Sequence, residues 1–205
     1  LFALCILAVA IGTVHVPVRD IFRAFEGSGD PSTLSIVRNL RAPRVVLAVF
    51  VGAGLGMSGG ALQGTLRNGL AEPYLLGVSG GAAVGAVVAF ALNVTNGGVI
   101  AVAAFAGAAV AVLLALIVAR AAGSAGRGDP RTLLMAGVVI GAFANAIIMI
   151  ALANAPANTI RGALWWMMGS VADSTWNAVA WLAAFVVAGG AVLIYWAREI
   201  DLLAL

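Results

Sequence analysis

Charged residues are absent from long runs of this chain, and those runs define its elements. Residues 45–66 hold no acid or arginine over 22 positions, enough for one crossing of the hydrocarbon, which needs about 20 apolar residues. Residues 73–119 are charge-free over 47 positions, too many for one helix. The segment Asn93-Val-Thr-Asn-Gly-Gly98 is turn chemistry, so this run is expected to fold as two helices, near 75–92 and 98–120. Residues 132–160 form another span, closing near Asn154-Ala-Pro156, and residues 174–197 form the last. Residues 1–18 carry no acid or arginine, but their apolar part, residues 1–12, is short. It reads as a span whose beginning is missing or as a signal-peptide core. No basic flank precedes it and no clear small-residue cleavage site follows, so the cut-off span is preferred. The expectation is an all-α, polytopic transmembrane bundle of about six spans in a single domain over residues 1–205.

Two connections are longer. Residues 13–38 are polar enough to lie outside the membrane, and within them Ile21, Phe22 and Phe25 share a helical face, which predicts an interfacial helix. Residues 161–173, with Trp165 and Trp166, are too short to span. They read equally as an amphipathic connector or a re-entrant segment.

Composition then narrows the function classes. Side chains are 63% hydrophobic and 9% charged, against about 25% charged in a soluble domain, so a water-soluble fold is all but excluded. Every basic residue is arginine; without lysine there is no P-loop or Schiff-base lysine. One histidine (His15) and one cysteine (Cys5) cannot build a zinc cluster, a metalloprotease motif or an internal disulfide. A haem-ligand role for His15 is considered, but a lone histidine is more often structural, and Cys5 is a small apolar filler. No metal site or cofactor is expected. No basic patch interleaves with aromatics, so no nucleic-acid partner is expected either. Arginine gives no orientation. One side would receive Arg19, Arg23, Arg38, Arg41, Arg44 and Arg161, and the other Arg67, Arg120, Arg127, Arg131 and Arg198.

Glycine spacing suggests how the helices meet. Gly52, Gly56, Gly60 and Gly64 recur every four residues, as do Gly77, Gly81 and Gly85; Gly137, Gly141 and Asn145 continue the pattern. A four-residue step keeps small residues on one face, where backbones can approach closely in lipid. Intramembrane polar residues (Ser58, Gln63, Ser79, Asn145) are not ionisable, so the spans contain no ion-coupling site. A secondary transporter or channel would be favoured by buried acids or an inverted repeat, and neither is seen. A membrane enzyme would need a nucleophile–base pair, also unseen. A non-transporting scaffold stays open.

Several motifs resemble one family. Arg41-Ala-Pro-Arg44 is followed by Val51-Gly-Ala-Gly-Leu-Gly-Met-Ser-Gly-Gly-Ala-Leu-Gln-Gly64, Arg67-Asn-Gly-Leu-Ala-Glu-Pro73 and Leu76-Gly-Val-Ser-Gly-Gly-Ala82. Later come Leu133-Leu-Met-Ala-Gly137, Leu164-Trp-Trp-Met-Met-Gly-Ser170 and Asp201-Leu-Leu-Ala-Leu205. Together these resemble the FecCD-type membrane permease of ABC importers for iron-siderophores, haem and vitamin B12, across essentially the whole chain. Gly69 and Ala42 depart from the family's usual proline and leucine.

The resemblance implies the first part of a ten-helix type II permease, with the last four helices and the coupling helix lying outside this chain. It implies a homodimer with a second permease copy in a bacterial or archaeal inner membrane. Two ATP-binding cassette subunits would drive it, and an external or periplasmic substrate-binding protein would deliver the ligand. Arg41 and Arg44 would dock that protein on the outer side. Met135, Gly141, Asn145 and Arg161 would face the path, and Asp129, Pro130, Arg131 and Thr132 would form the cytoplasmic gate region.

Overall fold

The computed structural model describes residues 1–122 and 130–204, and among them the regular elements are helices. The chain divides into two compact units, Leu1–Met57 with Ser170–Ile200, and Ser58–Gly169 with Asp201–Leu205.

In the first unit, α1 (Phe2–Ala10) ends at Ile11 in extended backbone. Helix α2 (Val18–Glu26) follows and is closed by Gly27 in the left-handed conformation, where a Cβ would be strained. Asp30 then opens α3 (Pro31–Ser35), its carboxylate accepting from the Ser32 and Thr33 N–H groups. The Ser32 hydroxyl above all, with the Thr33 N–H, holds this carboxyl below its ordinary range. The cap is therefore present above that range and is lost as pH falls through the lowered value. A π-turn (Ile36–Arg41) joins α3 without a break to α4 (Ala42–Leu66). Val9, Ala10, Val16, Ile21, Ala24 and Val37 form the core between α1, α2 and the π-turn. Helix α9 (Trp176–Tyr195) is capped by the Thr175 hydroxyl, which accepts from the Ala178 N–H. It meets α4 at two glycines: a Cβ on Gly54 would lie 3.2 Å from Val186, and one on Gly190 3.3 Å from the Met57 sulfur. The chain continues into α10 (Ala197–Ala204).

In the second unit a 3-10 turn (Pro73–Leu76) leads through Gly77 into α5 (Val78–Ala91). Helix α5 packs on α6 (Gly97–Ala122), α7 (Pro130–Ala153) and α8 (Ala157–Met168). Ala86, Ala89, Ile100 and Ala104 fill the α5–α6 seam. Ala83, Val87, Ile148 and Ala163 fill the space toward α7 and α8. Turn chemistry between α5 and α6 is as expected: Asn93 takes positive φ, and the Asn96 side-chain oxygen accepts from the Gly98 and Val99 N–H groups.

Among the described residues, four helices are long and apolar enough to cross a membrane: Pro31–Leu66, Gly97–Ala122, Arg131–Ala153 and Trp176–Tyr195. The expected span at 75–92 is shorter than drawn. Pro73 starts a separate turn and Gly77 is left-handed (φ 77°), so α5 has 14 residues and a length of about 21 Å against about 30 Å of hydrocarbon. The first expected span appears as the nine-residue α1. The segment expected as connector or re-entrant loop is largely helical, in α8, and packs on α5.

Candidate functional site

Three arginines organise the start of α4. The C-terminal carbonyls of α1 have no partner within that helix. Arg41 supplies one: Nη1 donates to Val9 O at 2.7 Å and Ala10 O at 3.2 Å, and Nη2 donates to Val14 O. A rigid, permanently charged fork suits this task better than an ammonium. Gly12 makes room for it, since a Cβ there would lie 2.6 Å from Nη2. Arg38 donates to Phe25 O at 3.1 Å, and Arg44 Nε donates to Ala172 O at 2.8 Å.

The π-turn closes against a proline. Within it the Ala42 N–H reaches back to Val37 O, a five-residue step. The same step from Arg38 O leads to Pro43, which has no N–H. The indole Nε1–H of Trp176 donates to Arg38 O at 2.9 Å and replaces the missing donor. Trp176→Phe is therefore expected to lower unfolding stability by about 1 kcal/mol, measured by SDS titration in mixed micelles. Trp181→Phe, at a position 68% exposed, is the matched control and should be near neutral.

The second unit holds a cavity of about 640 Å³ between the start of α5, α7 and the end of α8. Gly137, Gly141 and Asn145 line it from one face of α7, Ser79 and Gly80 from α5, and Trp166 and Met167 from α8. Among the described residues that line it there is no carboxylate, guanidinium or imidazole. Its polar groups are the Ser79 hydroxyl, the Asn145 amide, the Tyr74 and Trp166 side chains and exposed backbone. Such a wall can hydrogen-bond a polar molecule without holding it by charge. Backbone proximity shapes the cavity's edge: a Cβ on Gly137 would meet the Leu75 carbonyl, and one on Gly80 would lie 2.9 Å from Ala144 Cβ.

Of the residues expected on a path, Gly141 and Asn145 are brought together here; Met135 and Arg161 are not. Met135 is 70% exposed and outside the lining, and Arg161 borders a separate cleft of about 430 Å³ with Leu164, Trp165 and Met168. Pro130, Arg131 and Thr132 form the first turn of α7, whereas Asp129 and Arg127 lie outside the described residues. The glycine ladders differ from one another. A Cβ on Gly77 would sit 3.1 Å from Gly137 O, while Cβ atoms on Gly81 and Gly85 would run into the Gly107 and Ala103 carbonyls. A Cβ on Gly52, Gly56 or Gly60 would meet nothing within 4 Å among the described residues of its own unit, because α4 meets α9 through Gly54 on its other face. Gly107 was missed at the level of sequence, although Ala103, Gly107 and Ala111 repeat the four-residue step. The clasp by Arg41 on α1 was missed as well.

The motifs now have their structural context, and comparison with known proteins agrees with them. The FecCD transport family matches over residues 1–205. The chain belongs to the FecCD transport family. It is 41% identical over 176 residues to the cobalamin import system permease protein BtuC of Halobacterium salinarum, covering 85% of this chain and 47% of the relative. It is 30% identical over 208 residues to the Fe(3+)-citrate import system permease protein YfmE of Bacillus subtilis, covering 100% of this chain and 60% of the relative. A solved ABC transporter chain of the metal-chelate type, in an inward-facing conformation, shares the fold with a TM-score of 0.80 at 20% identity. That match covers 100% of this chain and 60% of the solved one. The chain thus spans about half to three-fifths of the length of the curated relatives it matches. Family membership and the apolar helices make it a multi-pass membrane protein of a transport-permease family.

Proposed function

We propose that this FecCD chain forms part of the permease subunit of an ATP-driven importer for metal chelates, of the iron-siderophore, haem or cobalamin class. The match of all its residues to the family carries the reading. In it, residues 1–205 belong to one permease domain that pairs with a second copy in the inner membrane of a bacterium or archaeon. ATP hydrolysis resides in two cassette subunits, and an external binding protein delivers the ligand. Ser79, Gly141 and Asn145 line the path; Met135 and Arg161 lie at its approaches. Asp129, Pro130, Arg131 and Thr132 belong to the cytoplasmic gate region. Arg44 contributes to docking the binding protein, while Arg41 supports that edge by clasping α1.

The physical support is the uncharged cavity. In this reading a bulky chelate passes a wall whose described lining offers hydrogen bonds but no fixed charge, and the cassette subunits supply the energy. The test is uptake by the full-length gene product in proteoliposomes, with its cassette subunits and ligand-loaded binding protein. Uptake should require ATP inside or outside according to subunit orientation, and Asn145→Leu should lower it by about tenfold through loss of the amide and narrowing of the wall. Uptake by the permease alone without nucleotide would reject this reading in favour of a secondary transporter or channel.

A further inference from the structure

Helix α2 has an apolar arc wider than the core uses. Ile21 and Ala24 are buried against α1 and the π-turn. Val18, Phe22 and Phe25, at i, i+4 and i+7, form an adjoining ridge that is 45%, 51% and 50% exposed. The expected single face of Ile21, Phe22 and Phe25 is therefore split, with one residue inside and two outside. Arg19, Asp20, Arg23 and Glu26 occupy the remaining face.

Hydrogen bonds fix the level of this ridge. Phe25 O accepts from Arg38, whose own carbonyl accepts from the Trp176 indole. Trp176 is the first residue of the candidate span α9, and the charge-free run of α4 begins just after Arg44. Tryptophan and arginine at span ends mark the headgroup region of a bilayer. Phe25 is tied to that same level.

We propose that α2 is an in-plane interfacial anchor, with Val18, Phe22 and Phe25 immersed at the headgroup–acyl boundary of the lipid. The partner is the bilayer surface itself, whatever its headgroup charge. Helix α2 carries two arginines against one aspartate and one glutamate, and Arg23 is within 3.6 Å of Asp20, an exposed pair of small energetic weight. With no net charge to attract anionic lipid, buried apolar area drives the association. The anchor holds the π-turn, and with it the Arg41–Arg44 edge, at a fixed depth.

The experiment places single nitroxide-labelled cysteines in the full-length chain, starting from Cys5→Ser and removing any other native cysteines. The positions are Val18→Cys, Phe22→Cys and Phe25→Cys on the ridge, Arg19→Cys on the polar face and Ile21→Cys in the core. Collision rates with oxygen, which partitions into lipid, and with a water-soluble nickel chelate are read in nanodiscs of pure phosphatidylcholine and of phosphatidylcholine with phosphatidylglycerol. The oxygen-to-nickel ratio at the three ridge positions should exceed that at Arg19 by about threefold or more in both lipids. A ratio at the ridge equal to that at Arg19 would mean water and would overturn the anchor. Exclusion of both reagents, as at Ile21, would mean that protein covers the ridge, from the rest of the chain, a second copy or the binding protein, and would overturn it too. An elevated ratio confined to phosphatidylglycerol would reject the apolar-area basis. Agreement among the three ridge positions guards against one disruptive label.

Discussion

Adding one methyl group at Gly107 is expected to destabilise the second unit, whereas the same change at Gly56 is expected to be harmless or slightly stabilising. Gly107 faces α5 so closely that a Cβ would strike the Gly81 carbonyl oxygen and lie 3.1 Å from Gly85 N. These are backbone atoms on a packed helix, which cannot swing aside as a side-chain tip can. Lipid adds little hydrophobic drive to hold separated helices together, so the lost van der Waals contact is not recovered. Gly107→Ala is expected to cost about 1–3 kcal/mol, and Gly107→Leu more. At Gly56 nothing lies within 4 Å among the described residues of its unit, so Gly56→Ala meets only its own helix there, where alanine is favoured by up to about 1 kcal/mol in water. SDS-induced unfolding of the full-length chain in mixed micelles measures both. Equal midpoints for Gly107→Ala and Gly56→Ala would mean that the α5–α6 approach is not as close as described.

This contrast also shows what spacing can and cannot encode. A step of four residues identifies a small face on a helix, but it carries no information about which neighbour uses that face. Gly81 and Gly85 meet α6, while Gly52, Gly56 and Gly60 meet nothing within their own units, and the α4–α9 contact falls to Gly54. Local chemistry was far more legible. The charge-free runs located the long helices, and the asparagines and glycines of residues 93–98 located the turn between α5 and α6. Pro73 and Gly77 were equally visible signals for the shortening of α5, and were outweighed there by the apolar run that contains them. In the site, Gly141 and Asn145 share a cavity because they lie one turn apart on α7. Met135 does not join them, since six residues from Gly141 it projects from another side of the helix. What stayed hidden was every contact across distance in the chain. The carbonyls that Arg41 holds lie 27 to 32 residues away, and the indole that completes the π-turn lies 138 residues from Arg38.

Arg41→Gln is expected to lower the unfolding stability of the first unit by about 2–4 kcal/mol, because hydrogen bonds from a charged donor are among the more costly to delete, and only Ala10 O keeps a backbone partner, the Val16 N–H, once the guanidinium is gone. Docking alone predicts something different. If Arg41 served only to meet carboxylates on a binding protein, the glutamine variant would unfold at the wild-type midpoint and lose affinity only. The guanidinium instead spans Val9 O, Ala10 O and Val14 O from a half-buried position, so unfolding should shift even with no partner present. Arg41→Lys should recover little of the loss, since one compact ammonium cannot reach three carbonyls in the geometry of the planar fork. Gly12 provides the internal check. A valine there would push against the Arg41 guanidinium, so Gly12→Val should be costly alone. In the Arg41→Gln background that cost should largely vanish, giving a non-additive double-mutant cycle of the kind seen for residues in contact. Strict additivity of the two changes would mean that Arg41 does not clasp α1 in the folded protein.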